Sequence, residues 1–229
     1  MTEIIIALDF DDPDYAVDFA SRIKNEADWV KLGLELFIRS GPEMVARLKH
    51  MGLKIFLDLK LLDIPNTVSG AVSSCVEIGA DMLTLHTLGG EKMIRAAIEA
   101  RNIAAAKADL PVLLGVTLLT SLGREDLPWP ETRHIGEVVG DLALKAHKWG
   151  LDGCVCSGLE AGSIRQQTDN NFCLVTPGIR TMPSQDDQKR VVTPEIAQRA
   201  GADFLVIGRP VTKSPDPVQA LRDIKDRLV

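Results

Sequence analysis

A short charged segment that follows a run of apolar residues is the part of the chain best suited to chemistry. It reads Asp58-Leu-Lys60-Leu-Leu-Asp63 and follows Lys54-Ile-Phe-Leu57, which is typical of a buried β-strand. Side chains two residues apart on a strand share a face, so we expect Asp58 and Lys60 to point the same way. Charges of both signs at one strand end are common in active sites, where fixed charges stabilise or protonate a reacting group. The alternative is an ordinary surface ion pair.

A further lysine lies inside an apolar run. Lys31 is the middle residue of Trp29-Val-Lys-Leu-Gly33, where an unpaired ammonium would be costly because it loses its water. The natural partner is Asp58 on the neighbouring strand, so we expect these two residues to form an ion pair. The alternative is that the lysine side chain extends to a solvated rim.

Eight apolar runs alternate with stretches in which apolar residues recur at helical spacing. The predicted strands are residues 4–8, 29–33, 54–57, 82–86, 112–116, 153–156, 173–175 and 204–207. The predicted helices are residues 13–25, 42–51, 66–78, 91–107, 135–149, 159–166, 193–199 and 217–228. Strands that are apolar throughout are typical of parallel sheets covered on both faces. The pattern therefore predicts one domain, residues 1–229, folded as a single (β/α)8 TIM barrel.

An open, doubly wound sheet is the alternative fold. It would normally carry a glycine-rich turn after the first strand, where this chain has Asp9-Phe-Asp-Asp-Pro13. In a barrel, catalytic groups come from the carboxyl ends of the strands and the loops that follow them. The polar residues expected at those ends are Asp9, Lys31, Asp58, Lys60, Asp63, His86, Thr117, Thr120, Arg180 and Arg209. The sequence thus predicts an active site at one mouth of the barrel, although His86 is more typical of a hydrogen-bonded barrel histidine.

The loops after the seventh and eighth strands suit a phosphate group. Barrels often bind phosphate between these two loops. Gly208 would allow the backbone to approach closely, and Arg209 would offer a planar fork of donors. Pro177-Gly-Ile-Arg180 opens a polar segment that runs to residue 190, in which Arg180 and Gln188 could close over the same phosphate. An ordinary solvated loop is the alternative.

Composition excludes several classes of function. The net charge of −6 and the lack of a basic run argue against binding to nucleic acid. No apolar run approaches the roughly 20 residues of a membrane span, and the first strand leaves no room for a signal peptide. We therefore expect a cytoplasmic protein without a membrane partner. The four cysteines lack paired metal-ligand spacing, so reduced thiols are favoured over a metal site, and no metal or cofactor is expected.

Five motifs together resemble a known family. They are Asp58-x-Lys60-x-x-Asp63-Ile-Pro-Asn-Thr67, the strand Trp29-Val-Lys-Leu-Gly33 that contains Lys31, Pro177-Gly-Ile-Arg180, Asp187-Gln188 and Ile207-Gly-Arg-Pro-Val211. From about residue 4 to its end, the chain closely resembles the orotidine 5′-phosphate decarboxylase family in its bacterial short-chain form. The Asp-x-Lys-x-x-Asp core alone is shared with the magnesium-dependent 3-keto-L-gulonate-6-phosphate decarboxylases and hexulose-phosphate synthases, which are the alternative. Those relatives look to carry a glutamate on strand two that binds the magnesium ion, whereas this chain has Lys31 on that strand.

The resemblance implies the decarboxylation of orotidine 5′-phosphate to uridine 5′-phosphate and CO2, the final step of de novo pyrimidine biosynthesis, without metal or cofactor. Lys60 would stabilise and protonate the carbanion at carbon 6. The implied catalytic residues are Lys31, Asp58, Lys60 and Asp63. The implied substrate-binding residues are Asp9, Lys31, Asp58, Lys60, Asp63, Ile64, Thr67, Thr120, Pro177, Arg180, Gln188, Gly208 and Arg209.

The family also implies a homodimer whose two active sites are shared between the subunits. Lys31, Asp58 and Lys60 would come from one subunit, while Asp63 and Thr67 would reach across from the other. Asp9 and Lys31 would hold ribose hydroxyls, and Thr120 would line the pyrimidine end. The phosphate would be held by Arg180, Gln188, Gly208 and Arg209, and its binding would drive closure of the segment that ends at residue 190.

Overall fold

The computed structural model describes residues 2–105, 110–127, 132–180 and 190–228. In it, eight parallel strands close into a barrel in the order of the chain. They are β1 (Glu3–Ala7), β2 (Trp29–Gly33), β3 (Lys54–Leu61), β4 (Met82–His86), β5 (Val112–Val116), β6 (Gly153–Val155), β7 (Cys173–Thr176) and β8 (Phe204–Ile207). Because β8 pairs with β1, the sheet is continuous around the barrel. The predicted TIM barrel is confirmed.

Helices lie between the strands and cover the outside of the barrel. They are α1 (Pro13–Ile23), α2 (Leu34–Lys49), α3 (Pro65–Glu77), α4 (Gly90–Ala104), α5 (Ile135–Trp149), α6 (Gly158–Arg165), α7 (Pro194–Arg199), α8 (Arg209–Thr212) and α9 (Pro217–Lys225). Local sequence explains several of their starts. The side chains of Asp12, Thr193 and Asp216 each accept a backbone N–H in the first turn of a helix that begins with proline.

Two boundaries differ from the prediction by four residues or more, and one short helix was not predicted. Helix α2 begins at Leu34 and not at Pro42, because its two halves meet at a kink where Gly41 has a φ of +59°. Strand β3 continues to Leu61, four residues beyond the predicted end at Leu57. The short helix α8 directly after β8 was not predicted.

Apolar side chains fill the bore of the barrel. The strand alternation sends one set outward to the helices and the other inward, where it forms a cluster of Ile5, Ala7, Trp29, Phe56, Met82, Leu114, Val175 and Val206. At the amino ends of the strands, Trp29 packs edge-on against Phe204 and donates its indole N–H to Glu3 at 3.0 Å. The bore is thus filled below, and the polar residues lie above this cluster.

The aspartates of three bottom turns fix the starts of neighbouring strands. Asp81, Asp152 and Asp203 each follow a glycine with positive φ by two residues, and each accepts the backbone N–H of a strand residue at 2.7 Å. These turns therefore have a structural role. Among the described residues, no helix combines the length and the apolar character needed to cross a membrane.

Candidate active site

A cavity of about 540 Å³ opens at the carboxyl ends of the strands. Most of the predicted site residues surround it. They are Asp9, Lys31, Asp58, Lys60, Thr120, Pro177, Arg180, Gly208 and Arg209. They come from β2, β3 and the segments that follow β1, β5, β7 and β8, so the barrel brings together residues that are distant in sequence.

Four charged side chains form a connected array in this cavity. The carboxylate of Asp58 lies between two ammonium groups: its Oδ1 is 2.8 Å from Lys60 Nζ, and its Oδ2 is 3.6 Å from Lys31 Nζ. The ammonium of Lys31 is closer to Asp9 Oδ1, at 3.0 Å. The expected pair between Lys31 and Asp58 is therefore present, but the shorter contact of Lys31 is to Asp9. Lys31 is buried and does not extend to a solvated rim.

The array keeps Lys31 and Asp58 charged. Burial lowers the pKa of Lys31, but the carboxylates of Asp58 and Asp9 raise it by more, so its pKa lies above the ordinary value for a lysine. Burial raises the pKa of Asp58, but the ammonium groups of Lys31 and Lys60 lower it by more, so its pKa lies below the ordinary value for an aspartate. Burial, followed by the charge of Lys60, lowers the pKa of His86. At neutral pH, Lys31 and Asp58 are thus ionised and His86 is uncharged.

A bulge in β3 places Asp58 and Lys60. Leu57 pairs with Leu83 of β4, and the next pair joins Leu61 to Leu85, so three residues of β3 lie opposite Thr84 alone. Lys60 has a φ of +51° and is the one non-glycine residue in the described part of the chain with positive φ. The simple alternation used in the sequence prediction therefore does not hold here, although both side chains reach the cavity.

Thr84 is a site residue that sequence reasoning missed. Its hydroxyl accepts the backbone N–H of Lys60 at 2.8 Å and donates to Asp58 Oδ1 at 3.1 Å. The sequence offers one signal for a buried polar residue here, a threonine flanked by leucines inside the strand Met-Leu-Thr-Leu-His, but it does not reveal the partners of that hydroxyl. Its side chain is fully buried.

The apolar lining of the cavity was also missed. Phe10, Leu118 and Leu119 lie in loops above the barrel, and Val155 and Val206 come from strands that reach its floor. A planar base can be buried against such a surface. Apolar residues at strand ends carry no signal that distinguishes them from core residues.

The predicted residues Asp63, Ile64 and Thr67 do not line the cavity of their own chain. They are exposed, and Ile64 is 67% exposed. Asp63 Oδ1 accepts the backbone N–H of Ile64 at 2.7 Å. The structure of one chain therefore does not bring these residues to the other site residues.

The phosphate end of the predicted site is formed by the loops after β7 and β8. Arg180 follows β7, its backbone N–H donates to Val192 O at 3.0 Å, and its guanidinium donates to Ile179 O at 2.9 Å. Gly208 leads from β8 into α8, where Arg209 is the first residue. Gln188 lies outside the described residues, as does most of the segment predicted to close over the phosphate.

The cysteines form neither disulfides nor a metal site in the described part of the chain. Burial raises the pKa of Cys75 to about 11 and that of Cys173 to about 12. Since thiolates are the form that binds metals, these thiols suit packing. At the mouth, the ammonium of Lys31 lies between the carboxylates of Asp9 and Asp58.

Comparisons with known proteins agree with this geometry. Residues 2–224 match the sequence model of the orotidine 5′-phosphate decarboxylase / HUMPS family. The orotidine 5′-phosphate decarboxylase of Maridesulfovibrio salexigens is 50% identical over 224 residues, covering 98% of this chain and 97% of that protein. The enzyme of the same name from Nitrosomonas europaea is 47% identical, covering 98% and 96%. The crystal structure of orotidine 5′-phosphate decarboxylase from Lactobacillus acidophilus superposes with a TM-score of 0.86 at 34% identity, covering 100% of this chain and 99% of that one.

Proposed function

The chain belongs to the orotidine 5′-phosphate decarboxylase / HUMPS family, and on that premise we propose that its mouth cavity converts orotidine 5′-phosphate to uridine 5′-phosphate and CO2. The observation that carries this proposal is the carboxylate of Asp58 held between the ammonium groups of Lys31 and Lys60. This reaction completes the de novo synthesis of the pyrimidine nucleotide.

The chemistry requires a fixed positive charge. When the bond between carbon 6 and the carboxylate breaks, its electron pair stays on carbon 6, and the pyrimidine ring cannot delocalise it well. Lys60 stabilises this pair through its ammonium group and then donates a proton to carbon 6, which gives uridine 5′-phosphate. Asp58 and Lys31 hold that ammonium in place, because the contact of 2.8 Å between Lys60 Nζ and Asp58 Oδ1 fixes its direction.

The other predicted residues bind the substrate. Asp9 and Lys31, at the side of the cavity formed by β1 and β2, bind ribose hydroxyls, and Thr120 lines the pyrimidine end. Pro177, Arg180, Gly208 and Arg209 surround the phosphate, together with Gln188. Support for the phosphate site comes from the two guanidinium groups at the same rim, which offer forked donors to phosphate oxygens.

A homodimer completes each site. Asp63, Ile64 and Thr67 lie on the surface beside the mouth, and we infer that Asp63 and Thr67 enter the cavity of a second copy. Support comes from large apolar side chains that are exposed after β2, β3 and β4. They are Leu34, Ile38, Leu62, Ile64 and Leu88. Exposed apolar patches at functional ends of a protein mark interfaces, and a second copy would cover this one while supplying the missing carboxylate.

The enzyme acts in the cytoplasm as one domain that spans residues 1–229. Support for a cytoplasmic location comes from the biosynthetic reaction of the family, and support for one domain comes from strands of a single barrel that extend from Glu3 to Ile207. The partner of the site is a small nucleotide, and neither nucleic acid nor a membrane takes part.

The magnesium-dependent sugar-phosphate enzymes of the same family are the alternative. Their metal would have to bind the carboxylates that Lys31 already neutralises, so the site favours the metal-independent reaction. An absorbance assay with orotidine 5′-phosphate, with and without a chelator, tests the proposal. Turnover that survives the chelator supports it. Absence of turnover, or turnover that requires added Mg²⁺, would contradict it.

A further inference from the structure

The backbone at Lys60 adopts an unfavourable conformation. Left-handed backbone costs a non-glycine residue roughly 1–2 kcal/mol, and Lys60 has a φ of +51°. The bulge in β3 removes Lys60 from the regular pairing with β4, since the ladder resumes at Leu61 and Leu85. Something outside the ladder must therefore hold this residue in place.

A single hydroxyl contacts the array at two points. Thr84 Oγ1 accepts the backbone N–H of Lys60 at 2.8 Å, and its proton is donated to Asp58 Oδ1 at 3.1 Å. The same carboxylate oxygen is 2.8 Å from Lys60 Nζ. The three contacts close a ring that runs from the Lys60 backbone through Thr84 and Asp58 to the Lys60 ammonium.

We propose that Thr84 is a positioning residue that holds Lys60 in its left-handed conformation and thereby aims the ammonium at carbon 6. This inference rests on the proposed decarboxylation and adds a role that the motif Asp-x-Lys-x-x-Asp does not contain. Thr84 acts through Asp58 and Lys60 and does not line the cavity itself. Both ends of the lysine are fixed by the same pair of side chains.

The chemistry of the hydroxyl suits this role. A hydroxyl is donor and acceptor at once, so Thr84 accepts the Lys60 N–H and still directs a proton at a carboxylate. Valine has nearly the same shape but neither function. In its place, the Lys60 N–H and Asp58 Oδ1 would each lose a partner in a buried region, and the bulge would relax. The packing around β4 would change little.

The test compares isosteric variants. In Thr84→Val, we expect the single-turnover rate constant for orotidine 5′-phosphate to fall on the order of 10- to 100-fold, as for the loss of a hydrogen bond to a charged group. The dissociation constant of uridine 5′-phosphate should stay within about threefold, because the cavity lining is unchanged. Thr84→Ser keeps the hydroxyl and should restore the rate to within about threefold.

Thr87→Val is the matched control. Thr87 follows the same strand and is equally buried, and its hydroxyl has no hydrogen-bond partner within the part of the chain that the structure describes. Its replacement should leave the rate within about twofold. If Thr84→Val does not fold, Thr84→Ser is compared with Thr84→Ala, because these two variants differ only by the hydroxyl. The serine variant should then be the faster of the two.

Three results would overturn the inference: a normal rate in the valine variant, a serine variant as slow as the valine one, or an equal loss in the Thr87 control. Each can be read only if the wild-type protein turns over orotidine 5′-phosphate. An inactive wild type would instead count against the proposed function, so the two failures are distinguishable.

Discussion

Arg190 donates to Glu160 in an ion pair whose two side chains are both buried, with Nη1 and Oε1 2.8 Å apart. The same guanidinium donates through Nη2 to the carbonyl of Leu119 at 3.0 Å. Arg190 lies shortly before α7, Leu119 lines the mouth cavity and Glu160 belongs to α6. Arg190 therefore links the segment before α7 to the loop after β5 and to α6.

This pair should contribute strongly to stability. Removing one member of a buried pair leaves an uncompensated charge, so Glu160→Gln should lower the free energy of unfolding by about 3 kcal/mol. The control is Glu91→Gln, which breaks an exposed pair with Arg95 and should cost less than about 0.5 kcal/mol. Urea denaturation of both variants measures the two losses in the free energy of unfolding. Equal losses would contradict the prediction that the buried pair stabilises the protein more than the exposed one.

Loss of the Lys60 ammonium should stop the reaction. Lys60→Ala should reduce kcat at least about 1000-fold, because the electrostatic stabilisation and the proton donor are removed together. Binding of uridine 5′-phosphate should persist, which calorimetry can measure. Lys54→Ala is a control on the same strand, where the lysine lies over the Trp29 ring at the opposite end of the barrel. Near-normal turnover in Lys60→Ala would refute the role of Lys60.

Two inactive variants should restore activity when mixed, if their substitutions affect residues that different subunits supply to one site. Mixing Lys60→Ala with Asp63→Ala should restore about a quarter of wild-type activity, because random exchange makes half of the dimers hybrid and leaves one of their two sites intact. Mixing Lys60→Ala with Asp58→Ala should restore none, since both residues come from the same subunit. Absence of recovery in the first mixture, with subunit exchange demonstrated, would show that the sites are not shared.

Arg209 should act on the phosphate alone. Arg209→Ala should raise KM for orotidine 5′-phosphate by about 10- to 100-fold, the cost of a lost hydrogen bond to a charged group. Its kcat/KM for orotidine, which lacks the phosphate, should be unchanged. Arg222→Ala removes an exposed arginine paired with Glu26 on the surface and serves as the control. An equal effect of Arg209→Ala on both substrates would place the arginine elsewhere in the site.

Much of the fold could be predicted because its signals are local. Runs of apolar residues and helical spacing identified the eight strands, and the rule that barrel chemistry lies at strand carboxyl ends then selected residues as distant as Asp9 and Arg209. The four-residue extension of β3 was missed because charged residues in Asp58-Leu-Lys60 end an apolar run. The first half of α2 was missed because Gly41 and Pro42 are typical of a helix start, and here they mark a kink.

Parts of the site depend on relations that no local pattern contains. Lys31 was expected to pair with Asp58, but the register of β1 with β2 brings Asp9 closer to its ammonium. The bulge that places three residues opposite Thr84 follows from how two strands fit together, so the partner of the Lys60 backbone could not be predicted from either strand. The exposed position of Asp63 likewise follows from the path of the chain into α3.

The apolar side chains in the bore also constrain the order of events in catalysis. Trp29, Phe56 and Met82 fill the space beneath the charged residues. Among the described residues the cavity therefore opens at the mouth alone, and the substrate enters and both products leave by that opening. The next substrate molecule must wait until uridine 5′-phosphate has left. Accumulated product would therefore slow its own formation by occupying the entrance, a feedback that needs no separate regulatory site.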